Sequence, residues 1–307
     1  MKRSITVTEV VTRDGFQIEP EWIDTERKIA LVHDLIAAGV RRFELSSFVH
    51  PVLVPNMKDA EELFAAFQRV DDVVFCGLVL NEKGAERALA AKVDEINYVF
   101  SASETHNRKN SRQSVQQSLT FALRLAEMSK QANIPLNVGL ATSFGCPFEG
   151  VYSAQKLWPL LEPLAAAGIR SICLADTTGM AHPLQIKETC RQILQRWPHL
   201  LLQLHLHNTR GMGLANALAG IEAGVTHFDS SLAGLGGCPF APGASGNICS
   251  EDFVHMLHLC GYETGIDLDR LIACARGLEK QMGRTLPGQV MKAGKTDDLH
   301  PADSVPG

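Results

Sequence analysis

Ala166-Ala-Gly-Ile169, running into the short apolar stretch Ser171–Ala175, is the joint on which the reading of this chain turns. The residues before it, Ser153–Ala167, repeat apolar side chains at helical spacing. Gly168 then supplies the stop, and the chain enters a strand. The same phrase recurs as Ala37-Ala-Gly-Val40 ahead of Arg42–Ser46, and as Ala223-Gly-Val225 at the head of Val225–Asp229. Working outward, strand-like runs alternate with helical ones along the whole chain. Strands are predicted at Ile5–Val11, Arg42–Ser46, Val73–Val79, Glu95–Phe100, Pro135–Thr142, Ser171–Ala175, Leu201–His207 and Val225–Asp229. Helices are predicted at Thr25–Ala38, Lys58–Phe67, Lys83–Ala91, Ser114–Ala132, Ser153–Ala167, Leu184–Trp197 and Leu214–Ala223, with two more at about 250–260 and 267–282. Alternating βα units imply a parallel sheet, and eight of them imply a closed (β/α)8 TIM barrel with additional C-terminal helices. An open doubly wound sheet is disfavoured, because no G-x-G-x-x-G follows the first strand.

Composition agrees. The chain has 307 residues, 45% hydrophobic and 21% charged, which suits a globular protein with a large core. Length alone suggests two domains, yet α/β barrels of roughly 250 residues fold as one. The expected division is a barrel over 1–285 and a tail over 286–307. The net charge of −5 gives no argument for nucleic acid or an anionic membrane. No run of about 18 apolar residues predicts a membrane span. Met1-Lys-Arg-Ser-Ile-Thr-Val7 has no apolar core of a signal peptide. The eight cysteines (Cys76, Cys146, Cys173, Cys190, Cys238, Cys249, Cys260 and Cys274) form no C-x-x-C pair, so a reduced, cytoplasmic protein with mostly buried thiols is expected.

A barrel gathers its chemistry at the C-terminal ends of its strands. Arg13 and Asp14 follow strand one, Glu44 lies near the end of strand two, and Asp176 follows strand six. His205 and His207 end strand seven, and Cys238 and Asn247 lie in the loop after strand eight. His205 and His207 are two apart, so in a strand both imidazoles face one way, about 7 Å apart along the backbone. Together with Asp14 and Asn247 they offer two nitrogens, a carboxylate and an amide oxygen. That set suits Mg2+ or Mn2+ with positions left open, and zinc is the other choice. Arg13 is a permanent cation suited to a developing oxyanion; as neighbours at a strand end, Arg13 and Asp14 are expected to point in different directions. Gln17, in the same loop, is a candidate for orienting a carbonyl.

The stretch 234–247 holds five glycines and two prolines, which suits a mobile lid or a close backbone approach to a ligand. Cys238, between Gly237 and Pro239, is read as an exposed cysteine suited to acid–base work. Cys146, in Phe144-Gly-Cys-Pro-Phe-Glu149, is a weaker case of the same kind. Ser101–Asn110 is polar and reads as a solvated loop, with Arg108 and Lys109 available to a phosphorylated substrate arm.

With these residues assembled, the chain resembles the 3-hydroxy-3-methylglutaryl-CoA lyases, within the wider group of metal-dependent lyases and Claisen-condensing synthases on TIM barrels. The resemblance runs from about residue 5 to 285. It rests on Thr12-Arg-Asp-Gly-Phe-Gln17, Glu44-Leu-Ser-Ser-Phe48, Val54-Pro-Asn-Met57, Gly145-Cys-Pro-Phe-Glu-Gly150, Ala175-Asp-Thr-Thr-Gly179, His205-Leu-His207 and the glycine-rich stretch ending at Asn247. It implies metal ligation by Asp14, His205, His207 and Asn247, and Arg13 near the thioester oxygen. Glu44 and Asp176 are then supporting polar groups, and Cys238 sits on the catalytic loop. The implied reaction is retro-Claisen cleavage of 3-hydroxy-3-methylglutaryl-CoA to acetyl-CoA and acetoacetate, with Asp14 or His205 as base. The family setting implies leucine degradation and a homo-oligomer, a dimer or larger. Asn208 and Phe16 depart from the family pattern, which usually has aspartate and leucine there. Asn208, losing a charge beside the metal, is expected to reshape the acyl pocket. Citramalyl-CoA is therefore a live alternative substrate, and a condensing synthase is the nearest rival enzyme. A metal-dependent hydrolase would carry H-x-H after its first strand, and a catalytically dead barrel would show damaged ligands.

Overall fold

The computed structural model describes residues 3–68, 70–237 and 246–299. Its barrel strands are β1 (Thr6–Glu9), β2 (Arg42–Ser47), β3 (Val74–Val79), β4 (Glu95–Ser101) and β5 (Leu136–Ala141). A small antiparallel hairpin, β6 (Gly145–Cys146) with β7 (Gly150–Val151), follows β5. The barrel then continues with β8 (Ser171–Asp176), β9 (Leu201–Leu206) and β10 (His227–Ser230). The eight barrel strands are all parallel and close in the order β1-β10-β9-β8-β5-β4-β3-β2. This is the expected (β/α)8 barrel, with helices following the last strand.

The helices are α1 (Thr25–Ala37), α2 (Ala60–Ala66), α3 (Glu82–Ala90), α4 (Glu104–Ser111), α5 (Val115–Ala132), α6 (Ala154–Ala166), α7 (Pro183–Arg196), α8 (Gly213–Glu222), α9 (Ser250–Leu259), α10 (Leu268–Met282) and α11 (Val290–Ala293). Each long helix buries one stripe on the barrel wall: Leu31, Val32 and Leu35 on α1; Leu119, Ala122 and Leu125 on α5; Ile186, Cys190 and Ile193 on α7. Ser114 and Gln117 form a capping box that fixes the start of α5. Gly168 has φ +82, the left-handed conformation that lets α6 stop and the chain turn into β8. Leu286 and Met291, past residue 285, are buried against this helical layer, and the Asp252 side chain accepts from the Gln289 and Val290 backbone N–H groups.

Three local expectations change. The first strand ends at Glu9, because Val11–Gly15 forms a single π-helical turn. Residues 104–111 form helix α4, where a solvated loop was expected. Its signals are polar ones: Ser103 caps it by accepting from the His106 N–H, and Glu149 accepts from the Thr105 N–H and the Ser103 hydroxyl. Cys146 is fully buried in β6 rather than exposed. Cys76, Cys173, Cys190 and Cys249 are also buried. Among the described residues no helix is long and apolar enough to cross a membrane.

Candidate metal centre at the barrel mouth

The π-helical turn after β1 decides the geometry of Arg13 and Asp14. In a strand, neighbours diverge. On this turn the N–H groups of Arg13, Asp14 and Gly15 all converge on the Val10 carbonyl, and the two side chains meet. The Arg13 Nη1 donates to the Asp14 carboxylate, and its Nε donates to Glu44. Their expected divergence is thus overturned by the turn. The ion pair is largely buried, which also removes the reading of a surface pair. Glu44, on β2, accepts a second hydrogen bond from Asn97 Nδ2 at 2.9 Å. Arg13 is therefore locked between two carboxylates, and they hold its charge firmly against the cost of burial.

His205 and His207 stand at the end of β9, facing one way as the two-residue spacing requires. Their Nε2 atoms are 3.1 Å apart, and Asp14 Oδ2 is 4.0 Å from the first and 3.9 Å from the second. One ligand atom from each of these three residues lies within 4.8 Å of the others, a candidate site for a metal ion. His207 pairs with Asn247 across an antiparallel bridge. Asn247 Nδ2 donates to Asp14 Oδ2 at 2.7 Å and to the Leu235 carbonyl at 3.0 Å. Both amide hydrogens are used, which leaves Oδ1 buried and, among the described residues, without a partner. A buried orphan acceptor beside two imidazoles and a carboxylate fits a fourth ligand to a hard cation.

The electrostatics of the three differ. Burial would raise the Asp14 pKa, but Arg13 and the two imidazoles outweigh it and hold the carboxyl at about 2. Burial would lower His205, yet Asp229 outweighs that and raises it. Among the described residues His207 has no such partner, and burial and the neighbouring His205 lower it to about 4 and keep it neutral.

Asp229, the last-but-one residue of β10, is the residue that sequence reasoning passed over. Its Oδ2 lies 3.0 Å from His205 Nδ1, and its other oxygen accepts from Gln203. It thereby fixes the tautomer that leaves a lone pair on His205 Nε2. It closes a predicted strand on the catalytic face, so the rule that selected Asp14 and Asp176 applies to it equally.

Arg13, Asp14, Glu44, His205 and His207 line a cavity of about 140 Å³, shared with Gln17, Asn97, His106, Asn110, Thr177 and Gly237. Asp176 is not brought to it. Its carboxylate instead accepts from the Met180 and Ala181 N–H groups and holds the turn after β8, with burial raising it to about 6. Asn208 is also outside the lining, so the expectation that it shapes the acyl pocket fails on position; its side chain accepts from the Gly213 N–H instead. Cys238 lies outside the described residues.

A family model described as HMGL-like matches residues 4–277, the whole barrel. The chain belongs to the HMGL-like family. Among curated relatives, the hydroxymethylglutaryl-CoA lyase YngG of Bacillus subtilis is 39% identical, over 96% of this chain and 98% of its own. The (R)-citramalyl-CoA lyase of Chloroflexus aurantiacus is 41% identical, over 95% of each. Among solved structures, an HMG-CoA lyase from Acenitobacter baumannii, in complex with coenzyme A and 3-methylmalate, superposes with a TM-score of 0.92 at 47% identity, covering 97% of both chains.

Proposed function

We propose that this chain is a divalent-metal-dependent carbon–carbon lyase that cleaves 3-hydroxy-3-methylglutaryl-CoA to acetyl-CoA and acetoacetate. The observation that carries the reading is the convergence of Asp14, His205 and His207 beside a buried, doubly paired Arg13, in a chain of the HMGL-like family. Asp14, His205, His207 and Asn247 would hold the ion, with Mg2+ or Mn2+ the ions that suit these donors. When bound, the ion supplies Lewis acidity toward the substrate's tertiary hydroxyl.

The remaining work falls to side chains. With the lone pairs of both imidazoles given to the ion and His205 Nδ1 held by Asp229, the hydroxyl proton passes to the Asp14 carboxylate, the remaining base at hand. As that proton leaves, the C2–C3 bond breaks; its electron pair passes into the thioester as an enolate, and C3 becomes the ketone of acetoacetate. Arg13, fixed by Glu44, meets the negative charge on the enolate oxygen. Cys238, next after the cavity-lining Gly237, is the acid that returns a proton to C2. Asp176 supports the β8 turn without touching substrate.

A second reading has its own support. The 41% identical relative is a citramalyl-CoA lyase, whose named substrate shares the hydroxyl, methyl and thioester and has one methylene less. The same groups would perform the same cleavage, with pyruvate as the keto acid. A reducing cytoplasm is favoured by the buried, unpaired thiols, and a homo-oligomer is the expected assembly.

The test is a panel of branched 3-hydroxyacyl-CoA thioesters, offered to chelated enzyme with and without added Mg2+ or Mn2+. Acetyl-CoA with acetoacetate is expected, appearing only with metal. Acetyl-CoA with pyruvate alone would move the assignment to the second reading. Cleavage of none, with metal present, overturns both.

A further inference from the structure

Glu9 takes no part in the chemistry above, yet its buried side chain accepts three hydrogen bonds. It is 1% exposed, at the C-terminal end of β1. The β1/β10 ladder ends at the Glu9–Ser230 pair, with a last bond from the Val10 N–H to the Ser230 carbonyl. Beyond that point the two chains part. One becomes the π-helical turn that carries Arg13 and Asp14. The other becomes the turn Leu232–Gly234, which leads to Leu235, the acceptor for Asn247.

The Glu9 side chain bridges the gap. Its Oε1 accepts from the Val11 N–H and from the Leu232 N–H, each at 2.9 Å, the first donors of the two diverging turns. Its Oε2 accepts from the Ser250 hydroxyl at 2.6 Å, at the start of α9, three residues past Asn247. Ser250 in turn pairs with the Ser230 hydroxyl at 2.8 Å. One carboxyl therefore ties together the three segments that deliver Asp14, Leu235 and Asn247. Above it, the Asn247 amide spans Asp14 and Leu235, so the distance it must span follows from how the turns below are held.

We propose that Glu9 is a positioning residue for the metal centre: by clamping the Val11 and Leu232 amides it sets the spacing between Asp14 and Asn247, and so the affinity for the divalent cation. This rests on the metal reading above. An amide at this position preserves the clamp. A glutamine keeps an oxygen for the two backbone N–H groups, and its NH2 can donate to the Ser250 hydroxyl. Leucine fills the space but leaves both amides buried and unpaired.

The experiment measures Mn2+ binding by calorimetric titration, without substrate, on the parent protein, Glu9→Gln, Glu9→Leu and Glu9→Asp. A control, Leu278→Ala, creates a cavity where α10 faces α1, outside the residues that line the mouth. Expected are a Kd within threefold of the parent for Glu9→Gln and a rise of at least tenfold for Glu9→Leu. Glu9→Asp, whose arm is one methylene short, should rise likewise, and it carries the test if Glu9→Leu does not fold. The control should lose melting temperature and keep its Kd. Hydrogen exchange at residues 11–15 and 232–235 should quicken in Glu9→Leu or Glu9→Asp but not in the control. An unchanged Kd in Glu9→Leu or Glu9→Asp overturns the proposal, as does an equal rise in Leu278→Ala. A parent that binds no Mn2+ overturns the metal reading instead.

Discussion

Removing Asp229 should loosen the metal centre without touching any proposed ligand. Asp229→Ala deletes two acceptors at once. His205 Nδ1, 3.0 Å from Oδ2, and the Gln203 amide would become buried donors with no partner. Each such loss costs about 1–3 kcal/mol, so folding stability should fall by about 2–6 kcal/mol. The imidazole also loses what fixes its tautomer. Partners of this kind are worth about 10–100-fold in metal affinity, or about 1.4–2.7 kcal/mol. Asp229→Asn separates charge from geometry. The Gln203 Oε1 has no partner among the described residues, so rotating that amide by half a turn lets it accept from the new Asn NH2, while the Asn oxygen still accepts from His205. Asp229→Asn should therefore keep most of the stability and lose part of the affinity. Calorimetric Mn2+ titration and urea unfolding read the two effects separately. A double-mutant cycle with His205→Ala should give a coupling of about 1 kcal/mol or more. Folded Asp229→Ala with a Mn2+ Kd within twofold of the parent, or a cycle with no coupling, would refute the argument.

Two further outcomes can be read from the same region. Glu251, fully buried at the start of α9, is raised to about 8 by burial, against an ordinary 4.5. Below about pH 4.5 it is protonated in both states; above that the unfolded chain releases its proton first, so stability falls as pH rises and levels off beyond pH 8. Glu251→Gln should flatten that slope and gain a few kcal/mol over the parent at pH 8.5, Glu9 leaving a shallower remnant; parallel melting curves for the two from pH 5 to 8.5 would refute it. Gly236 has φ +116, and a Cβ there would sit 2.5 Å from Asn247 Nδ2 and 2.9 Å from Asp14 Oδ2. Gly236→Ala should cut turnover at least tenfold, whereas Gly277→Ala, with open space around it on α10, should stabilise by about 1 kcal/mol; equal behaviour of the two in activity assays would sink the close-approach reading.

The barrel was legible because its signals are repeated and apolar. Eight buried runs, each followed by a helical stripe, state the fold many times over, and glycine stops such as Gly168 mark the joints. The same repetition made His205, His207, Asp14, Glu44 and Asn247 legible, since each ends a strand or lies in the loop beyond. What escaped lacks an apolar period. Helix α4 is almost wholly polar, and its formation depends on Ser103 and on Glu149, a residue more than forty positions away in the chain. The π-helical turn at 11–15 has no periodic signature, so the meeting of Arg13 with Asp14 was read as divergence. Asp176 was selected by its strand-end position, which says nothing about whether a carboxylate turns inward to the cavity or caps the next turn. Asn208 was judged by its place beside His207, but past the end of the strand its side chain turns to the Gly213 N–H.

The charge balance of the mouth gives an independent reason for a divalent ion. Counted as carboxylates, Asp14, Glu44 and Asp229 bring three negative charges to a space where each is almost fully buried. Arg13 returns one, and His207, lowered to about 4, returns none at neutral pH. Two negative charges then remain uncompensated in a low-dielectric site, a burden that folding does not bear without a partner. The raised His205 relieves part of it when protonated, but a protonated imidazole has no lone pair to give a metal. One divalent cation removes the imbalance whole and returns His205 to the neutral, ligating form that His207 already has. The same count predicts the direction of proton flow on loading: metal binding should release protons near neutral pH, and His205, through its contact with Asp229, is the group that gives them up. Proton release measured in weakly buffered Mn2+ titrations should shrink in Asp229→Asn, where His205 has lost the charge that raises it; release unchanged by that substitution would place the proton elsewhere and undo the count.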